Sequence, residues 1–292
     1  VSASRFAGVF APLTTPFAAD GALALGPHAA NVARLCAAGL DGVLVAGSTG
    51  EAPLLDPDEQ RVLVAATRAA VPSGKHLLVG TGAEATRHAV ALCRSAAAEG
   101  ADAVLVRPPA YFGAVLPESA LAAYFAEIAD ESPIPVLAYN IPKYTHVALP
   151  PNFIGRLLSH PNVVGVKDSS GDAANLEAYR RAAPASTVLA GSASLLLRGL
   201  ELGCDGGIIG VACFAPERCV ALLQAHRAGD AARAATIQDA LRPLDREIVG
   251  RWGPAGVKAA MDAAGLYGGP ARGPLTDLAD ADRGHIARLL AA

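Results

Sequence analysis

Lysine is scarce in this chain. Of its 24 basic residues only four are lysines, Lys75, Lys143, Lys167 and Lys258, and the remaining twenty are arginines. Arginine keeps its charge under all ordinary conditions, whereas lysine can shed a proton and become an amine nucleophile. Codon bias gives the same imbalance, so scarcity alone does not mark a site. Charge of either sign is also sparse. Charged residues make up 17 % against 52 % hydrophobic, and the net charge is −3. Such a balance argues against nucleic acid or an anionic membrane as partner. No apolar run reaches the length of a membrane span, and the start of the chain lacks a charged-then-apolar signal pattern. A cytoplasmic protein is therefore expected, with a removed organelle-targeting segment left open. Five cysteines form no C-x-x-C pair, which points to buried thiols in a reducing compartment, Cys213 and Cys219 among them as packing residues. Seven scattered histidines include no H-E-x-x-H cluster, so no metal is expected.

What the chain has in quantity is short apolar runs. They fall at Gly8–Leu13, Gly42–Ala46, His76–Gly80, Ala103–Val106, Pro135–Tyr139, Val163–Lys167, Thr187–Ala190 and Gly206–Val211. Segments rich in Ala, Leu and Arg with helical spacing separate most of them. The clearest helix is Pro57–Val71, with Asp56 as N-cap, Pro57 at the first helical position and Glu59 completing a capping box. The strands are apolar on both faces, as expected when helices cover a parallel sheet. Eight such units predict a (β/α)₈ barrel over residues 1–214. Residues 215–292 are expected to add a helical extension packed on the barrel as one structural unit. A doubly wound sheet is the alternative, supported by the glycine pattern "GTGAEA" at Gly80–Ala85. That pattern follows the third strand, and no acidic residue closes the next one where a ribose would need it.

Barrel chemistry collects where strands end. Here strand 2 runs into "GSTGE" (Gly47–Glu51), strand 5 ends "AYNIP", strand 6 ends in Lys167 and strand 7 ends "AGSAS". Two-residue alternation puts Val163, Gly165 and Lys167 on one face, with Gly165 leaving room beneath the lysine and Asp168 pointing away. Lys167 has two readings: a buried amine kept for chemistry, or a strand-end lysine whose stem lies on apolar surface while its head reaches water. Tyr139 reads equally as a core aromatic. The coincidence of lysine, tyrosine and a hydroxyl-rich turn at one rim favours imine chemistry on a keto acid. Lys75 and Lys258 are read as structural surface charges, and Glu51 as a brace for its own loop.

"GSTGE", "YNIP" and "GVKDSSGD", in that order on strands 2, 5 and 6, resemble the dihydrodipicolinate synthase / N-acetylneuraminate lyase family of class I aldolases. The resemblance runs from "GVFAPLTTPF" to "GLYGGPARGPL". It implies a (β/α)₈ barrel with extra C-terminal helices, assembled as a homodimer or homotetramer, that holds pyruvate or a 2-oxo acid covalently on Lys167 without a cofactor. It further implies Tyr139 as proton shuttle, Ser48 and Thr49 as carboxylate cradle, and Tyr111 completing a neighbouring subunit's site. Ile209 matches a backbone carbonyl position beside the pyruvyl group.

Departures from the family narrow the substrate. Tyr144 stands where dihydrodipicolinate synthases place an arginine, and neighbouring Lys143 is expected to replace it only with a rearranged loop. Ser192-Ala193-Ser194 stands where neuraminate lyases carry acidic residues. His146 replaces a usual glycine, and Ala110 a common second tyrosine. The run "AGSASLLLRGLELG" is most similar to 4-hydroxy-2-oxoglutarate aldolases, in which the serines matching Ser169 and Ser192 lie beside the substrate's distal end. The expectation is an aldolase that cleaves a 4-hydroxy-2-oxo acid, with 4-hydroxy-2-oxoglutarate giving pyruvate and glyoxylate. The alternatives are a 4-hydroxy-tetrahydrodipicolinate synthase, a 2-keto-3-deoxy sugar acid aldolase, or a non-catalytic 2-oxo-acid binding protein.

Overall fold

The computed structural model describes residues 5–291; residues 1–4 and 292, the outer ends of the two expected segments, lie outside the described residues. Eight parallel strands close on themselves in sequence order, with β1 paired to both β2 and β8. They are β1 (Gly8–Pro12), β2 (Gly42–Val45), β3 (His76–Gly80), β4 (Ala103–Val106), β5 (Val136–Asn140), β6 (Val163–Asp168), β7 (Thr187–Ala190) and β8 (Gly206–Ile208). Closure removes every sheet edge and excludes the doubly wound alternative. A Cβ at Gly80 would lie 2.1 Å from the Ala46 carbonyl oxygen, so this glycine serves the close approach of two loops and not a dinucleotide.

Strand alternation sorts the apolar side chains into two layers. Phe10, Leu44, Leu78, Leu105, Leu137, Leu189 and Ile208 fill the barrel interior. Val9, Val43, Val79, Val104, Val166 and Val188 face outward into the larger core beneath the helices. The helix at Pro57–Ala70 begins with both capping-box hydrogen bonds, Asp56 accepting from the Glu59 N–H and Glu59 accepting from the Asp56 N–H.

One strand departs from simple alternation. Between β5 and β6 the register passes from Val136↔Val163 to Leu137↔Gly165, leaving Val164 as an extra residue. Val163 therefore packs in the outer layer while Val164 packs against the interior, opposite to the expected alternation. Lys167, paired with Tyr139 and Leu189, still faces the interior. Gly165 does not simply leave space under the lysine. A Cβ there would lie 2.5 Å from the Thr187 carbonyl oxygen, so the glycine lets β6 and β7 approach.

After β8 the chain forms helices Pro216–Arg227 and Ala231–Leu244, a π-helical turn Asp245–Gly250, and helices Arg251–Ala263 and Asp280–Ala291. Gly253, at φ 56° and ψ −136°, breaks the Arg251–Ala263 helix at its first turn. This stretch passes over the C-terminal mouth of the barrel and supplies one wall of the site.

Candidate active site

The site begins with two neighbouring strand ends. Tyr139 and Lys167 are paired residues of β5 and β6, and the Lys167 nitrogen lies 4.3 Å from the centroid of the Tyr139 ring. Lys167 is only 4 % exposed. The neighbouring carboxylate does not reach it. Asp168 points outward, accepting from Asn140 at 2.7 Å and from the Ser170 hydroxyl at 2.7 Å. Burial pushes its carboxyl pKa up, against the pull of these hydrogen bonds. Among the described residues Lys167 makes no ion pair and no hydrogen bond, and its burial leaves little of the side chain at the surface.

The hydroxyl loop is held in shape by its flanks. Ala46 and Glu51 both take the left-handed conformation, at φ 51° and 56°, strained for residues with a side chain. Between them the Gly50, Glu51 and Ala52 N–H groups donate to the Gly47 and Ser48 carbonyls, and buried Thr15 donates to the Gly50 carbonyl at 2.6 Å. Ser48 and Thr49 are left at the cavity wall. Glu51 does brace the loop, but through the far end of the chain. Its carboxylate lies 2.5 Å from the Lys258 nitrogen and accepts the Arg272 N–H at 2.9 Å. Lys258 is 2 % exposed, which overturns its reading as a surface charge. Burial lowers its pKa, opposed by Glu51. Its ammonium also donates to the Pro270 carbonyl at 2.7 Å. Lys75 is half-buried in the turn before β3.

Two adjoining cavities of about 400 Å³ each meet at Ser48, Tyr139, Tyr144 and Pro254. The second holds Lys167, Thr49, Ser169 and Ser192 together. The Ser169 hydroxyl approaches the Tyr139 hydroxyl at 3.5 Å. Ser192 donates to Asp245 at 2.6 Å, so its proton is already committed. Ser194 donates its N–H to the same oxygen, while its own hydroxyl oxygen is buried without a partner. Ile209 takes a different place from Ile208. The Ile208 side chain lines the cavity, whereas that of Ile209 packs outward and its carbonyl accepts the Ala212 N–H at 3.1 Å.

Tyr111 is not brought to the site within one chain. It is 82 % exposed, stacked edge-on against Phe112, and lines neither cavity. Lys143, by contrast, lies at the cavity wall and donates to the Gly250 carbonyl at 3.1 Å. His146 takes φ 54° at the end of the Pro142–Thr145 turn, a conformation glycine adopts freely, so the substitution carries backbone strain. All five cysteines are buried and free. Cys213 donates to the Pro12 carbonyl, and burial drives its thiol pKa far up.

Residues of the π-helical turn were not anticipated. Asp245, Arg246, Val249 and Gly250, followed by Gly253 and Pro254, form the wall facing Lys167. The sequence signal was the break "GRWGP", which α-helical periodicity treats only as an interruption.

A closed parallel barrel with a buried lysine, a tyrosine and a hydroxyl loop at the C-terminal ends of its strands defines a barrel enzyme of the imine-forming kind. Residues 5–292 match the model of the Dihydrodipicolinate synthetase family, and the chain belongs to that family of class I lyases and aldolases. It is 38 % identical over 296 residues to a 4-hydroxy-tetrahydrodipicolinate synthase of Synechococcus sp. (strain CC9605), covering 100 % of this chain and 97 % of the relative. It is 35 % identical to a probable mitochondrial 4-hydroxy-2-oxoglutarate aldolase of Emericella nidulans, covering 91 % and 88 %. A crystal structure of YagE, a prophage protein of the dihydrodipicolinic acid synthase family from E. coli K12 in complex with pyruvate, superposes with TM-score 0.93 at 31 % identity, covering 99 % and 98 %. No helix among the described residues is long and apolar enough to cross a membrane.

Proposed function

We propose that the protein is a pyruvate-dependent aldolase that reversibly cleaves a 4-hydroxy-2-oxo acid, with 4-hydroxy-2-oxoglutarate giving pyruvate and glyoxylate as the best-fitting reaction. The observation that carries this reading is Lys167, buried beside Tyr139 with no carboxylate pairing it.

Ser48 and Thr49 hold the C1 carboxylate through hydroxyl and N–H donors and present C2 to the amine. Lys167, acting as the neutral amine, adds to the ketone, and loss of water leaves a protonated imine. Tyr139 takes the proton of the C4 hydroxyl, directly or through Thr49 or a partner chain's tyrosine at position 111. The C3–C4 bond then breaks, its electron pair passing to the imine to form an enamine while the aldehyde departs. Protonation at C3 and addition of water release pyruvate and regenerate Lys167. The protonated imine is itself the electron sink, so the steps balance without a metal or other cofactor. The Ile209 carbonyl would border the pyruvyl group, and Ser169 and Ser192 the departing end.

The rival is a 4-hydroxy-tetrahydrodipicolinate synthase, the name the Synechococcus relative carries, which would condense aspartate semialdehyde with pyruvate. Tyr144 stands at the place expected for a carboxylate-binding arginine, so the semialdehyde's carboxylate would need a different cation. The test is a panel: pyruvate release from several 4-hydroxy-2-oxo acids, run beside the semialdehyde condensation. Turnover of the semialdehyde alone would overturn the aldolase assignment. Trapping of the imine without any turnover would favour a binding protein. We further propose that barrel and helical extension form one structural unit, a reading supported by the Glu51–Lys258 pair that joins them.

A further inference from the structure

The second cavity has a cationic end that no step above uses. Lys143 lines it from the turn after β5, and Arg246 from the π-helical turn. Lys143 donates to the Gly250 carbonyl, which ties the two walls together. Arg246 makes no hydrogen bond or ion pair among the described residues. Its neighbours do: Arg242 pairs with Asp239 at 2.5 Å, and Arg251 lies 3.9 Å from Glu247 and stacks over Trp252. An arginine left free at a cavity wall is a ready partner for a carboxylate, which it can hold with two parallel hydrogen bonds.

The serines make the case sharper. Ser192 directs its one hydroxyl hydrogen to Asp245, so it can only accept from a ligand, and a carboxylate needs donors. Ser194 keeps a buried hydroxyl without a partner on the same wall. Asp245 is the acidic residue lining this cavity, and two donors to one of its oxygens disperse its charge. The two cations outnumber it.

We propose that Arg246 and Lys143, with the Ser194 hydroxyl, form the distal anion subsite, so that the substrate carries a carboxylate at the end opposite its 2-oxo acid group. The subsite does the work expected of an arginine at position 144 from a different element, the π-helical turn. Ser192 instead faces the substrate as an acceptor, suited to a C4 hydroxyl. This inference rests on the imine reading of Lys167.

The test compares kcat/KM for cleavage of two 4-hydroxy-2-oxo acids, one ending in a carboxylate (products pyruvate and glyoxylate) and one in a methyl group (pyruvate and acetaldehyde). The unaltered enzyme should prefer the dicarboxylate. Since a charge-assisted hydrogen bond contributes about 1.5–3 kcal/mol, Arg246→Gln should reduce that preference by about 10- to 150-fold. Arg246→Lys should restore part of it, and Arg246→Gln with Lys143→Gln should reduce it further. Both side chains are exposed, so folding is not at stake. Absence of the preference in the unaltered enzyme, or its persistence in the double variant, overturns the subsite. Borohydride trapping of pyruvate on Lys167 in the unaltered enzyme separates the two failures: without an adduct the imine reading falls first, and with one only the subsite does.

Discussion

Lys167 and Lys258 show how one residue type serves opposite ends within one molecule. Both are buried on interior-facing surfaces, but only Lys258 meets a carboxylate, at 2.5 Å. A paired ammonium is held in place by its counter-ion, whereas an unpaired amine at a cavity wall is free to meet a substrate. Lys167→Ala should therefore abolish the pyruvate adduct seen by mass spectrometry after borohydride, with turnover at background. Tyr139→Phe should keep the adduct and lower kcat by about 100-fold or more, the usual contribution of a proton-transferring group. Loss of the adduct in Tyr139→Phe would instead give the tyrosine a role in forming the imine.

A second prediction at this scale concerns His28, which the sequence did not single out. Thr67 donates its hydroxyl proton to the Leu63 carbonyl at 2.6 Å, so it accepts from His28 Nε2 at 2.8 Å. The imidazole is buried and neutral, its pKa lowered by burial from 6.5 to about 4. Folding thus opposes protonation, while the unfolded chain takes up a proton near pH 6.5. The contribution to stability is complete above that pH and is lost as pH falls towards about 4. By linkage the loss across the window is about 3 kcal/mol. Denaturant titrations at several pH values should show this slope, and His28→Gln should flatten it.

At the scale of elements, the catalytic mouth depends on a strap. The loop carrying Ser48 and Thr49 is pinned through Glu51 by Lys258 on the Arg251–Ala263 helix and by Arg272 beyond it. Arg272 also grips Glu59 at 2.6 and 2.7 Å and the Leu54 carbonyl at 2.9 Å, holding the helix that follows the loop. Lys258→Met should cost about 3–5 kcal/mol, because it leaves the Glu51 carboxylate buried without a counter-ion, held only by the Arg272 N–H. Adding Glu51→Gln should recover most of the stability, measured by chemical denaturation. An undiminished midpoint in the single variant would mean that Glu51 finds water or another partner.

The strap also marks the limit of what pattern can show. The eight strands and the rim position of Lys167 were legible because short apolar runs, glycine turns and the capping box at Asp56 are local signals. Lys258 was misread because its partner Glu51 lies far away in sequence though 2.5 Å away in space, and a helical lysine looks solvated until its neighbours are known. The extra residue Val164 was invisible because both faces of β6 are apolar, so alternation carries no register. The π-helical turn escaped for a similar reason. Its sequence "DREIVG" fits an α-helix, and only its hydrogen bonding moves Asp245 and Arg246 to the cavity.

At the scale of the molecule, one expected site residue, Tyr111, lies outside both cavities of its own chain. Tyr111, Phe112 and Val115 lie exposed together on the loop after β4, large apolar side chains that a solitary chain gains nothing by presenting to water. The loop's backbone is fixed, since Glu84 accepts the N–H groups of Ala110 and Tyr111 at 2.9 Å each. A fixed loop with an apolar tip is suited to insertion into a second copy, which would carry Tyr111 to the partner's hydroxyl network beside Tyr139. Self-association should then be required for full activity. Sedimentation of the unaltered chain should give a dimer or tetramer, and Phe112→Asp with Val115→Asp should shift it to monomer with a fall in kcat. Mixing that monomer with Lys167→Ala chains, which retain an intact Tyr111 loop, supplies the missing tyrosine in trans and should restore part of the activity if heterodimers form. A monomer as active as the assembly would show instead that Tyr139 passes its proton without help from a neighbour.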